Sequence, residues 1–137
     1  MKGGNMIALG LLGIVLVLGA YIRLAPSDPA IWHKMPANLE VGDGVGSAAR
    51  RVDDRGDTLA QLDEIIRKSP RTSVLAGSVE DGMITYITRT PLARFPDYTT
   101  VRQKAGSVEL YGRLRFGRSD MGVNRKRLDG WLAQLQV

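Results

Sequence analysis

From Met6 to Ile22 the chain runs through seventeen residues (MIALGLLGIVLVLGAYI) with no charge and no proline. A helix over that stretch is ~25 Å long at ~1.5 Å per residue, close to the ~30 Å hydrocarbon thickness of a bilayer. It is apolar on every side, which suits lipid better than the core of a small domain. Arg23 can snorkel to the interface and let Leu24 and Ala25 extend the run, while Tyr21 falls where an interfacial aromatic belongs. Pro26 and Pro29 end the helix. Lys2 gives the segment a basic start, but the one candidate cleavage point, after Ala20, has Leu18 at its third position back, a poor match to a signal peptidase site. Residues 1–25 are therefore expected to be an uncleaved single-pass transmembrane anchor.

The pattern then changes twice. Residues 26–56 hold Pro26, Pro29 and Pro36 and little apolar content beyond Ile31 and Trp32, and they read as an extended connector. Trp32 is expected to dock on the membrane interface or the domain surface. Beyond it, periodicity predicts a folded domain over 57–137. Leu59, Leu62, Ile65 and Ile66 recur at helical spacing over 58–68, with Asp57 as the expected cap and Arg67 and Lys68 closing the last turn. Residues 72–79 and 83–90 are β-rich runs around Asp81-Gly82, a hairpin signal. Residues 98–104 and 107–116 form a second pair around Ala105-Gly106. The last run alternates: Val108, Leu110, Gly112, Leu114 and Phe116 point one way, and Glu109, Tyr111, Arg113 and Arg115 the other. A final helix is expected over 122–136, capped by Ser119 or Asp120, with Val123, Leu128, Trp131, Leu132 and Leu135 toward the sheet. Helix, four antiparallel strands and helix make an α+β domain, with the antiparallel sheet packed on two helices.

Composition narrows the chemistry. The 137 residues include no cysteine, which removes disulfides, thiolate metal sites and cysteine nucleophiles. Residues 101–137 carry eight Lys/Arg against three acids, which accounts for the whole +5 net charge. Such a local excess attracts phosphate-bearing partners, unless it is simply a solvated basic face. Lys2 and the terminal amine on one side of the apolar run balance Arg23 and Lys34 on the other, so the positive-inside count leaves orientation level.

Catalytic signatures are scarce. The lone histidine, His33, lies in the connector, and neither a Gly-x-Ser-x-Gly elbow nor a His-Glu-x-x-His motif occurs. The GDGVG stretch at 42–46 lacks the strand and helix that a dinucleotide fingerprint requires and reads as a flexible loop. Asp53, Asp54 and Asp57 miss the calcium-loop pattern because Arg55 takes a ligand position. No catalytic residue, metal site or cofactor is expected. Asp97 and Asp120 are the best available carboxylate pair.

The stretch FGRSDMGVNRKRLDGWL, residues 116–132, resembles the closing motif of the domain-of-unknown-function 1499 family, through Gly117, Ser119, Asp120, Gly122, Asn124, Arg125 and Arg127. Arg94-Phe95-Pro96-Asp97 resembles an earlier aromatic-then-acidic segment of that family, with Tyr98 in place of a second acid. The resemblance covers roughly residues 50–137. It implies a bacterial or plastid protein behind an export or membrane signal and carries no particular reaction with it.

The motif is a strand-to-helix junction, and the unpaired N–H groups of a helix start suit an anion. Arg113, Arg115, Arg118, Ser119, Asp120, Asn124, Arg125 and Arg127 are the candidate binding residues. Two uses compete for them: structural support, with Asp120 and Ser119 capping and Asn124 with an arginine tying the junction together, or binding of an anionic ligand or partner. The sequence thus favours a non-enzymatic interaction or accessory module. It would be held in a bacterial inner membrane by residues Met6–Ile22, with its domain in the periplasm and another membrane protein or complex as partner. An enzyme or binding protein for an anionic envelope ligand is the alternative. Nucleic acid is not expected, since stacking aromatics are few in the basic region, with Tyr111 the main candidate, and no reader motif occurs.

Overall fold

A computed structural model describes residues 2–135. The N-terminal helix α1 (Lys2–Leu24) is 23 residues long with a mean hydropathy of 2.3, and none of its most apolar window is buried against the rest of the chain. It is long and apolar enough to cross a membrane. One short helical turn, α2 (Pro29–Trp32), follows, with the Asp28 side chain accepting the Ala30 N–H.

The domain is α+β, with an antiparallel sheet of six strands rather than four. In spatial order it runs β1 (Gly42–Asp43), β2 (Ser47–Asp53), β6 (Ser107–Leu114), β5 (Pro96–Lys104), β4 (Met83–Arg89) and β3 (Thr72–Ser78). The two extra strands come from residues expected to be connector. β2 pairs along its whole length with β6, from Ser47 opposite Arg113 to Asp53 opposite Ser107. Its sequence, SAARRVD, hides the strand because its sheet faces carry alanines and arginines instead of β-branched residues. Arg50 occupies a helix-facing position, but its guanidinium reaches Asp129 at 2.7 Å and Asp43 at 2.8 Å. The GDGVG stretch is correspondingly ordered rather than loose: β1 begins in it, and the Gly46 carbonyl accepts from the Leu114 N–H.

The expected hairpins form. Ala105 and Gly106 both have positive φ, 49° and 82°, as a two-residue turn twisted to match its strands requires. β6 stops at Leu114, two residues short of the expected end, because the chain turns out of the sheet toward α1, where Phe116 meets Tyr21 edge-on at 6.0 Å.

Helices α3 (Thr58–Arg67) and α4 (Val123–Leu132) cover one face of the sheet. Leu59, Leu62 and Ile66 of α3 join Leu128 and Trp131 of α4 over Ile84, Tyr86, Val101, Val108 and Leu110 to make the core. Polar anchors hold the layers in place: the Tyr86 hydroxyl donates to Asp63 at 2.7 Å and the Trp131 indole to Ser69 at 2.6 Å. Asp57 holds the expected cap position of α3, but its side chain makes no capping hydrogen bond: its carboxylate accepts from Gln61, and the Thr58 hydroxyl accepts the Arg55 N–H. Gln136, the expected end of the last helix, lies outside the described residues.

The opposite face is covered by the chain between α1 and β1. Trp32 stacks on Tyr98 with ring centroids 4.1 Å apart and planes 12° from parallel. His33 Nδ1 shares a hydrogen bond with the Thr85 hydroxyl at 2.8 Å. Ser27 shares another with the Tyr98 hydroxyl at 2.7 Å. Trp32 therefore docks on the domain, and residues 25–39 form a strap over the sheet.

Candidate functional site

Five of the eight candidate residues divide between the two faces of the sheet. Arg113 and Arg115 point to the strap face. Arg113 donates to the Trp32 carbonyl and, at 2.8 Å, to the Thr100 hydroxyl. Its guanidinium lies 5.0 Å from the centre of the Tyr111 ring and 5.9 Å from that of Trp32. Burial pulls the Arg113 pKa down to about 10, which leaves it a cation at neutral pH. Arg115 donates to the Pro26 carbonyl at 2.9 Å and to the Tyr98 hydroxyl at 3.0 Å.

These two arginines belong to a series that holds the strap by its backbone oxygens. Arg102 donates to the Pro36 carbonyl, Lys104 to Ala37 and Arg51 to Leu39. Glu109 keeps Arg102 and Arg51 in position, at 2.6 Å and 3.1 Å. Burial pushes the Glu109 carboxyl up, but the hydrogen bonds from Arg102 and Arg51 outweigh it and hold it below the usual glutamate range. Sequence alternation placed Arg113 and Arg115 on one face; what it lacked was the strap that occupies them.

Asp120, Asn124 and Arg127 lie on the helix face. The Asp120 carboxylate accepts from the Gly122 N–H at 2.9 Å, the Asn124 N–H at 3.0 Å and the Asn124 side-chain amide at 2.9 Å. It caps α4 from two residues before the Gly122 cap position, since Gly122 has no side chain to do so. The Asn124 side-chain oxygen accepts from Arg127, which also pairs with Asp97 at 3.1 Å. Asp97, Arg127, Asn124 and Asp120 thus form one connected chain of polar contacts. Gly112 makes room for it: a Cβ there would lie 2.8 Å from the Asn124 oxygen. Alternation counted Gly112 as a core position and gave no hint that Asn124 needed the space.

The two carboxyls are driven apart. Burial raises Asp97, and although Arg127 opposes that, the neighbouring Asp120 charge adds to the rise. Burial also pushes Asp120 up, but the Asn124 and Gly122 N–H donors and the Asn124 amide dominate and hold it below the usual aspartate range. Ser119 accepts the Met121 N–H within the junction, and Arg118 and Arg125 are exposed.

Both carboxyls border a cleft of about 390 Å³ whose walls are Thr90, Phe95, Leu114, Phe116, Met121 and Val123, with Ile22 of α1 closing one side. No arginine lines it, so its polar end favours a hydrogen-bond donor over an anion. Among the described residues no group of three or more His, Cys, Asp or Glu is placed to hold a metal ion.

Residues 33–135 match the model of a family described as "Protein of unknown function (DUF1499)". No curated protein and no solved structure matches the chain.

Proposed function

The chain belongs to this family of proteins of unknown function, DUF1499, and from that premise we propose that it is a membrane-anchored, non-enzymatic interaction module of the cell envelope. In this reading α1 crosses a bacterial inner membrane, the domain stands in the periplasm, and the Asp97–Asp120 cleft receives part of a neighbouring membrane protein. The observation that carries it is the position of the cleft: Ile22, from the last turns of the candidate span, forms its wall. A groove built partly from an anchor is presented to whatever else lies at that membrane surface. The commitment of Asp120 to the α4 start and of Asp97 to Arg127 supports binding over acid–base work.

Two measurements test this together. A photo-crosslinking side chain at Met121, which is 82% exposed on the cleft rim, should join the full chain to a discrete membrane protein in intact cells. The same group at Glu80, in the β3–β4 turn on the far edge of the sheet, should not. Equal labelling at the two positions, or none at Met121, sinks the reading. A C-terminal phosphatase reporter that is active only outside the cytoplasm fixes the compartment independently.

A further inference from the structure

The sequence places its expected anion site at the basic junction, where the structure engages most of the cations. A different set of arginines is left without acidic partners. Arg23 stands in the last turn of α1. Arg89 ends β4, and Arg94 lies in the loop that joins β4 to β5. All three line one open concavity with Pro91 and Leu92, and no acid lines it. Neither Arg23, Arg89 nor Arg94 forms an ion pair among the described residues. Arg23 and Arg89 donate only to loop carbonyls, to Leu92 at 3.1 Å and Arg94 at 3.0 Å. Those bonds brace the loop against the end of α1 while leaving guanidinium N–H groups unused.

The same loop carries Leu92, the most exposed large apolar side chain of the domain at 87%. An exposed leucine sharing one concavity with three arginines that form no ion pair among the described residues, and tied to the last turn of an apolar helix, has the composition of a membrane-interface contact. The leucine enters the acyl boundary and the arginines meet the phosphates. Guanidinium forks match phosphate oxygens well.

We propose that the Arg23–Arg89–Arg94 concavity binds the headgroup phosphate of an anionic phospholipid in the leaflet where α1 ends, with Leu92 inserted beside it. The inference rests on α1 being a membrane span. The occupant is a lipid, because the site adjoins the span and carries an apolar side chain that a free phosphate would not use. Near an anionic surface each cation is worth roughly a fivefold preference, so losing two should weaken anionic-lipid preference by about twenty-five-fold.

The chain has no cysteine, so Leu92→Cys offers a single attachment point for an environment-sensitive fluorophore. The full chain is reconstituted into nanodiscs of phosphatidylcholine alone and of phosphatidylcholine mixed equally with phosphatidylglycerol. Entry into both discs reports the anchor; emission reports the loop. Emission should shift to the blue in the anionic discs, and the shift should be lost in Arg89→Gln/Arg94→Gln. It should survive added inorganic phosphate. Arg94→Gln alone, at an exposed side chain with no hydrogen-bond partner among the described residues, should reduce it without touching the fold. Identical emission in the two discs, an undiminished shift in both variants, or abolition by inorganic phosphate overturns the lipid site while the anchor stands. Failure to enter either disc removes the anchor and the lipid site with it.

Discussion

Gly112 and Gly46 reserve the space in which the junction is built. A Cβ on Gly46 would fall 2.5 Å from Leu114 Cδ2 and 3.3 Å from the Arg118 carbonyl, and one on Gly112 would fall on Asn124. Overpacking of this kind costs ~1–3 kcal/mol. Gly112→Ala is therefore expected to lower the urea midpoint of the detergent-solubilised chain, whereas Gly130→Ala, where an added Cβ meets nothing, should not lower it. Equal midpoints for Gly112→Ala and the parent would show that Asn124 is free to move. Asp97 gives a pH signature at the same scale. Its carboxyl is raised, so ionising it opposes folding. That cost is absent below the usual aspartate range and grows as pH rises through the raised value. Asp97→Asn removes the titration, so the stability of the parent relative to the variant should fall with rising pH across that window. A pH-independent difference between the two would contradict the shift.

The strap and the strands beneath it set what happens at the scale of elements. Residues 25–39 bury Ala25 and Leu39 at their two ends, and between them the hold comes from cations donating to carbonyls and from the Trp32–Tyr98 stack. An aromatic pair of this kind is worth ~0.5–1.5 kcal/mol beyond its buried area. Trp32→Ala should raise amide exchange across residues 26–39 by roughly tenfold while leaving β4 and β5 protected; uniform protection in the variant would mean that the carbonyl contacts suffice. Acid should loosen the same element. Glu109 is lowered by its arginines, so its contribution is complete above the usual glutamate range and is lost as pH falls through the lowered value. Protection factors of the strap, corrected for the intrinsic slowing of amide exchange in acid, should therefore fall at acid pH in the parent and be already low at neutral pH in Glu109→Gln.

Much of the domain was legible because its periodicities are local: α3, the two hairpins and α4 each announce themselves within a dozen residues. β2 was not, because Ala48, Ala49, Arg50 and Arg51 acquire their place only from partners in β6, α4 and the strap. The junction motif was visible as a set of polar residues, but its division between two faces depends on where β6 ends. Asp97 and Asp120 could be named as a pair; that Asn124 and Arg127 join them is a tertiary fact.

For the whole molecule, the proposed function turns on the relation between helix and domain. If α1 is a membrane span, the full chain should resist alkaline carbonate extraction, and removal of residues 2–22 should release it into the soluble fraction. Retention of the shortened chain on membranes would point to the Leu92 loop as a second attachment, since a single weak interfacial contact binds reversibly.

The strap also decides the geometry of encounter. A loose thirty-residue tether would let a domain sweep a hemisphere some tens of ångströms across. Here the tether is spent on the domain's own sheet, so the reach is close to zero and the domain cannot cast about for distant targets. With α1 as a membrane span, the domain would be presented to laterally diffusing neighbours in one orientation. On the proposed function, abundance per unit of membrane area, rather than solution affinity, would set how often a partner is found.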